Sequence, residues 1–100
     1  MLDSWKWGNR KMASMMATLM DDFYNLREKN EGDSAYGMAV DQAVSFANNC
    51  HQMTSLDTLN CVEGMLRDVL DVAYDDSEAQ AYEDALIIVL LNKEKLLTEG

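Results

Sequence analysis

One hundred residues with a formal net charge of -10 and 48% hydrophobic side chains exclude both a disordered acidic tail and a chain of several domains. There is apolar material for one small core, and a chain of this size withdraws roughly two-thirds of its unfolded surface from water. The charge also excludes bulk nucleic-acid binding, because a polyanion would work against its own field.

The first eleven residues hold Lys6, Arg10 and Lys11 against only Asp3, whereas the remainder carries seventeen acids and five basic residues. We therefore read residues 1–8 as a basic, Trp-containing segment ahead of a single acidic helical domain at 9–100. Trp5 continues the apolar stripe that follows it and is expected to pack. Trp7 falls off that stripe, which makes Lys6, Trp7, Arg10 and Lys11 a candidate hook for stacking on bases or resting on a lipid surface. The opening, Met1 to Trp7, has no apolar signal-like run, and the longest apolar run, Ala85 to Leu91, falls far short of the roughly 20 residues that span a bilayer. The expectation is a cytoplasmic protein without a membrane span.

At 100° per residue, Met12, Met15, Met16, Leu19, Phe23 and Leu26 share one face of a first helix, with Asp21 and Glu28 opposite. Proline is absent, so breaks must come from glycine and caps. Asn30-Glu31-Gly32-Asp33-Ser34 offers a glycine for a helix end and two N-cap residues for the next start. The second helix gathers Tyr36, Val40, Ala43, Val44 and Ala47, a narrow face that permits close approach. Met38 and Met53 lie off that face. His51, the only histidine, falls at the end of this helix and reads as packed or helix-terminal rather than catalytic.

Thr54-Ser55-Leu56-Asp57 matches a capping pattern and opens a third helix. Leu56, Leu59, Val62, Leu66, Val69, Leu70 and Ala73 form its apolar face, and Asp57, Asp68, Asp71 and Asp75 line the opposite one. Cys61, Met65 and Val72 make a minor apolar strip beside those acids. Ser77-Glu78-Ala79-Gln80 marks the fourth helix. Its core stripe is Ala79, Tyr82, Leu86, Val89, Leu90 and Leu97, while Ile87, Ile88 and Leu91 point elsewhere. Within one bundle that second surface stays uncovered, and a second copy of the chain is the simplest cover. Short connections and the absence of period-two alternation give an all-α, up-down antiparallel bundle of about four helices, dimeric through Ile87, Ile88 and Leu91.

No motif declares a reaction. Phosphate-loop, dinucleotide and nucleophile-elbow patterns are missing, and no E-x-x-H marks a di-iron bundle. Cys50 and Cys61 lack the paired spacing of a zinc site and read as reduced thiols. Asp21-Asp22, Asp75-Asp76 and Glu83-Asp84 resemble no calcium loop, and adjacent acids point to different helix faces. Neither cofactor nor metal is expected, and the chain is not expected to be an enzyme.

What remains is display of charge. Asp57, Asp68, Asp71 and Asp75, with Asp21 and Glu28 on another outward face, are placed to imitate a phosphate ladder. In composition, and in no alignable motif, such a chain resembles in class the small acidic helical antagonists that phages and other mobile elements direct against host nucleases and defence complexes. That likeness implies an inhibitor or decoy acting on a basic or nucleic-acid-handling protein. Two alternatives stand beside it: an acidic chaperone or adaptor whose Met-rich groove receives a partner helix, and a helical oligomer that holds a small ligand at its seam.

Overall fold

A computed structural model of the chain describes the backbone of residues 2–50 and 54–99 and the side chains of residues 14–50 and 54–98. Four helices pack against one another: α1 (Leu2–Lys29), α2 (Ser34–Cys50), α3 (Ser55–Asp71) and α4 (Asp76–Glu99). The four expected helices are thus present, and none among the described residues is long and apolar enough to cross a membrane.

Each break has a local cause. After α1 the Asn30 side-chain amide donates to the Leu26 carbonyl at 2.8 Å, and Gly32 takes φ 102°, a left-handed conformation that a side chain would strain. The next residue caps α2: Asp33 Oδ1 accepts from the Tyr36 amide at 3.1 Å. Thr54 Oγ1 accepts from the Asp57 amide at 3.3 Å and starts α3 as expected. The fourth helix corrects the sequence reading. Its cap is Asp75 rather than Ser77, since Asp75 Oδ1 accepts from the amides of Ser77 at 2.8 Å and Glu78 at 3.2 Å. Ser77 lies beside the Asp33 carboxyl and, with the Tyr36 amide, holds Asp33 below the usual carboxylate range. The starts of α2 and α4 therefore lie at the same end of the bundle.

The core is built from Leu19 and Phe23 of α1, the Ala39-Val40-Ala43-Ala47 face of α2, Leu59, Val62 and Leu66 of α3, and Ala81, Ala85, Leu86 and Val89 of α4. Full burial of a Leu or Phe side chain contributes about 1.5–3 kcal/mol, so these few large residues dominate the apolar stabilisation. Helices α2 and α4 pack directly on one another, while α1 and α3 barely touch and lie across the bundle. Three residues expected on core faces depart from that reading: Leu56, Leu90 and Leu97 are exposed, whereas Val44 packs half-buried against the core. Leu56 lies in the first turn of α3, and at the end of α4 the inward place is taken by Leu96 instead of Leu97.

Polar ties join the helices at the rim. The Tyr36 hydroxyl donates to Asp84 Oδ2 at 2.7 Å and Gln80 to Asp84 Oδ1 at 3.0 Å. Lys93 Nζ reaches Glu63 Oε1 at 3.0 Å, Arg67 reaches Glu63 Oε2 at 3.1 Å, and these cations lower the Glu63 pKa. Asn92, buried, donates to the Ile88 carbonyl at 2.8 Å and lies 3.5 Å from Asp22. At the other end the fully buried Thr58 hydroxyl donates to the Cys50 carbonyl at 3.0 Å, satisfying the last turn of α2.

The cysteines also correct the sequence reading. Rather than two reduced thiols, Cys50 and Cys61 form a disulfide, their Cα atoms 6.3 Å apart. Periodicity placed them on separate helices, but the Thr58 bond brings the end of α2 onto the second turn of α3 and closes the gap. Closure of a loop this short stabilises by about 3 kcal/mol in the chain-entropy model.

Burial first, and then the Asp84 hydrogen bond and charge, push the Tyr36 phenol above its ordinary value. Its folded pKa exceeds its unfolded one, so this contribution is complete below the ordinary phenol range and is lost as pH climbs from that range to the raised folded value. Tyr36→Phe is expected to lower unfolding free energy by about 1–2 kcal/mol at neutral pH and to flatten the alkaline loss of stability, as urea titrations at a series of pH values would read. An unchanged midpoint would remove Tyr36 from the α2–α4 tie.

Candidate functional site

Helix α3 presents its outward face through Asp57, Asn60, Gly64, Asp68 and Asp71, all exposed. Residues at intervals of 3, 4, 7 and 11 share a helical face. The apolar stripe of Leu59, Val62 and Leu66 goes to the core, so the acids must go to solvent. Among the described residues, Asp57, Asp68 and Asp71 have no ion-pair partner, while Arg67 of the same helix is turned to Glu63. Gly64 lies in the middle of this strip, and a Cβ added there would meet nothing within 4 Å.

The six acids expected to act as one face are not brought together. Asp21 and Glu28 are exposed as anticipated, but on α1, which lies across the bundle from α3. Asp75 is not on α3 at all, because the helix ends at Asp71, and its carboxylate is committed to the start of α4. Asp57, Asp68 and Asp71 remain as the strip.

Beyond that strip, Val72 and Tyr74 are exposed, Tyr74 completely so. Periodicity gave no signal for Tyr74, since it follows the end of the helix. A tyrosine and a valine bordered by Asp71 and Asp75 combine an apolar anchor with a charged surround, the composition that association surfaces favour.

The second expected surface is partly rearranged. Ile87 and Leu91 of α4 are more than half exposed, at 55% and 59%. Ile88 is not: it packs, half-buried, against the core. Leu90, expected inside, joins the outer patch, with Glu83 and Glu94 on the same side of the helix. The alternation of α4 is rotated slightly because Ala81 and Ala85, rather than Leu90, meet the other helices.

A cleft of about 680 Å³ lies where α1 meets α2, lined by residues including Tyr24, Arg27, Glu28, Met38 and Asp41. Arg27 and Asp41 pair within it at 3.0 Å, both about half exposed, a surface pair of small energetic weight. Met38, expected off the packing face, is 72% exposed at its edge. Among the described residues no group of three or more His, Cys, Asp or Glu side chains could hold a metal ion. The side chains of Lys6, Trp7, Arg10 and Lys11, and residues His51 and Met53, lie outside the described residues, although the α1 backbone is helical through the first four.

No protein-family model matches the chain, and no curated protein and no solved structure is significantly similar to it.

The open space at Gly64 yields a direct test of how the strip is presented. Gly64→Ala is expected to raise stability by about 0.5–1 kcal/mol, since a solvent-facing helix interior gains only from the loss of glycine freedom. A drop in the denaturation midpoint would mean that this face is covered in the isolated chain.

Proposed function

We propose that the chain is a non-enzymatic, acidic protein-binding module that presents the α3 strip to a basic or nucleic-acid-handling protein and inhibits it as a decoy. The observation that carries this reading is the outward, unpaired display of Asp57, Asp68 and Asp71 on a rigid helix, with Tyr74 and Val72 beyond it. Fixed carboxylates at helical intervals attract cationic side chains at low ionic cost, since nothing must be rearranged before contact. The exposed aromatic supplies an apolar anchor that charge alone lacks. The Tyr36–Asp84 hydrogen bond, which sets the first turn of α2 beside the first half of α4, supports an up-down course for the four helices, which leaves α3 with a free outer face.

Self-association belongs to the same reading. Ile87, Leu90 and Leu91 make an apolar patch on a surface otherwise rich in acid, and a second copy of the chain is its simplest cover. The targets of such a decoy reside in the cytoplasm, a reducing compartment. There the Cys50–Cys61 bridge is either opened or shielded from thiols.

Two measurements test the reading. With the partner recovered from a source lysate and then purified, Asp57→Asn, Asp68→Asn and Asp71→Asn together are expected to weaken binding at least about tenfold at low salt and to flatten its salt dependence. Full-strength binding by the triple variant would end the decoy reading. Light scattering is expected to give a dimer that Ile87→Glu with Leu91→Glu converts to a folded monomer. A monodisperse wild-type monomer at high concentration would remove the homodimer while leaving the acidic strip untouched. Ile88, packed on the core, is unsuited to that experiment because its substitution would disturb folding.

A further inference from the structure

The two sulfur-bearing residues of the disulfide sit in different surroundings. Cys50, at the end of α2, is 1% exposed and belongs to the core, where the Thr58 hydroxyl also holds its carbonyl. Cys61, on the second turn of α3, is half-buried and lies one helical turn from exposed Asp57, on the border of the acidic strip. Thiol–disulfide exchange is an in-line displacement: the attacking sulfur, the attacked sulfur and the leaving sulfur align. Attack on Cys50 would require a reagent inside the bundle. Cys61 packs only partly buried against the core, which leaves it the end of the bridge nearer to solvent, with Cys50 leaving inward.

We propose that the Cys50–Cys61 bridge is a thiol-exchange site with one open end, modified by small thiols at Cys61 and closed to them at Cys50. In the first step a thiolate RS⁻ bonds to Cys61 Sγ, the bond between the two cysteine sulfurs breaks, and its electron pair leaves on Cys50 Sγ, which then takes up a proton. The product is a mixed disulfide of R with Cys61 and a buried Cys50 thiol. A second thiolate attacks the R sulfur and releases Cys61, so two small thiols are oxidised to one disulfide while the bridge is reduced to two thiols. Burial disfavours the Cys50 thiolate as a leaving group, and the nearby carboxylates repel anionic thiols, so exchange is slow as well as selective. Slow, one-ended exchange lets the bridge outlast passage through a reducing solution, and it directs a captured thiol to the edge of the strip that the partner would touch.

The test uses the full chain, air-oxidised, with cysteamine as a cationic thiol that the acids do not repel. The chain is exposed briefly under native conditions, quenched with acid and alkylated, and the adduct is mapped by peptide mass spectrometry. The expected result is a mixed disulfide on Cys61 and an alkylated thiol on Cys50. In single-cysteine variants, Cys61 in Cys50→Ser is expected to react with a neutral aromatic disulfide at least about tenfold faster than Cys50 in Cys61→Ser. The proposal is overturned by adducts distributed over both cysteines, by preferential modification of Cys50, or by an oxidised chain that titrates with two free thiols. Because the mapping is done on the wild-type chain, poor folding of a variant cannot rescue or sink it.

Discussion

The close packing of α2 on α4 is the constraint on which the rest of the bundle depends. In a square four-helix arrangement these two would be diagonal partners. Here Ala39, Ala43 and Ala47 of α2 and Ala81 and Ala85 of α4 are all buried in one core, and the small side chains let the two backbones approach. With that diagonal shortened, α1 and α3 are driven to opposite sides and scarcely meet. The larger residues, Phe23 and Leu19 from one side and Leu59, Val62 and Leu66 from the other, then fill the two grooves flanking the central pair.

Charge follows from this geometry. A core reduced to narrow stripes leaves wide outer faces, and on a chain with eighteen acids and eight basic residues those faces must be negative. Among the described residues three cations are committed at helix borders: Lys93 and Arg67 both go to Glu63, and Arg27 goes to Asp41. Arg67 is the one basic residue of α3 itself, and it is turned away from the acidic strip. The strip stays bare, and the bundle carries a self-repulsion that the apolar core, the Cys50–Cys61 bridge and the capped turns must offset. The same display that costs stability is what makes the surface attractive to a cationic partner.

The helices and most of their inner faces were legible in the sequence because the apolar period and the glycine at 32 state them directly. Leu19, Phe23, Val40, Leu59, Val62, Leu66 and Val89 were all read as core, and all are buried. The misreadings have distinct physical origins. Ala81 and Ala85 carry little hydrophobic weight, so periodicity assigned the inner face of α4 to Leu90 and Leu97 and rotated Ile88 outward. Asp75 and Ser77 are both good caps, and only the fold, in which the Asp75 carboxylate takes the amides of Ser77 and Glu78, decides between them. The disulfide and the exposed Tyr74 were hidden for another reason: both depend on where a turn brings the chain, which helical spacing does not encode. Of the candidate site, the outward acids of α3 could be read, but their separation from Asp21 and Glu28 required knowing that α1 and α3 are opposed.

Carboxyl footprinting with a water-soluble carbodiimide and an amine tests the central claim most directly, because it asks of each acid whether it is displayed and whether the display is used. Asp57, Asp68 and Asp71 should label rapidly in the free chain, well ahead of half-buried Asp22 and Asp84, and should be protected when the partner is bound. Slow labelling of the three in the free chain, or labelling that the bound partner leaves unchanged, would contradict the account.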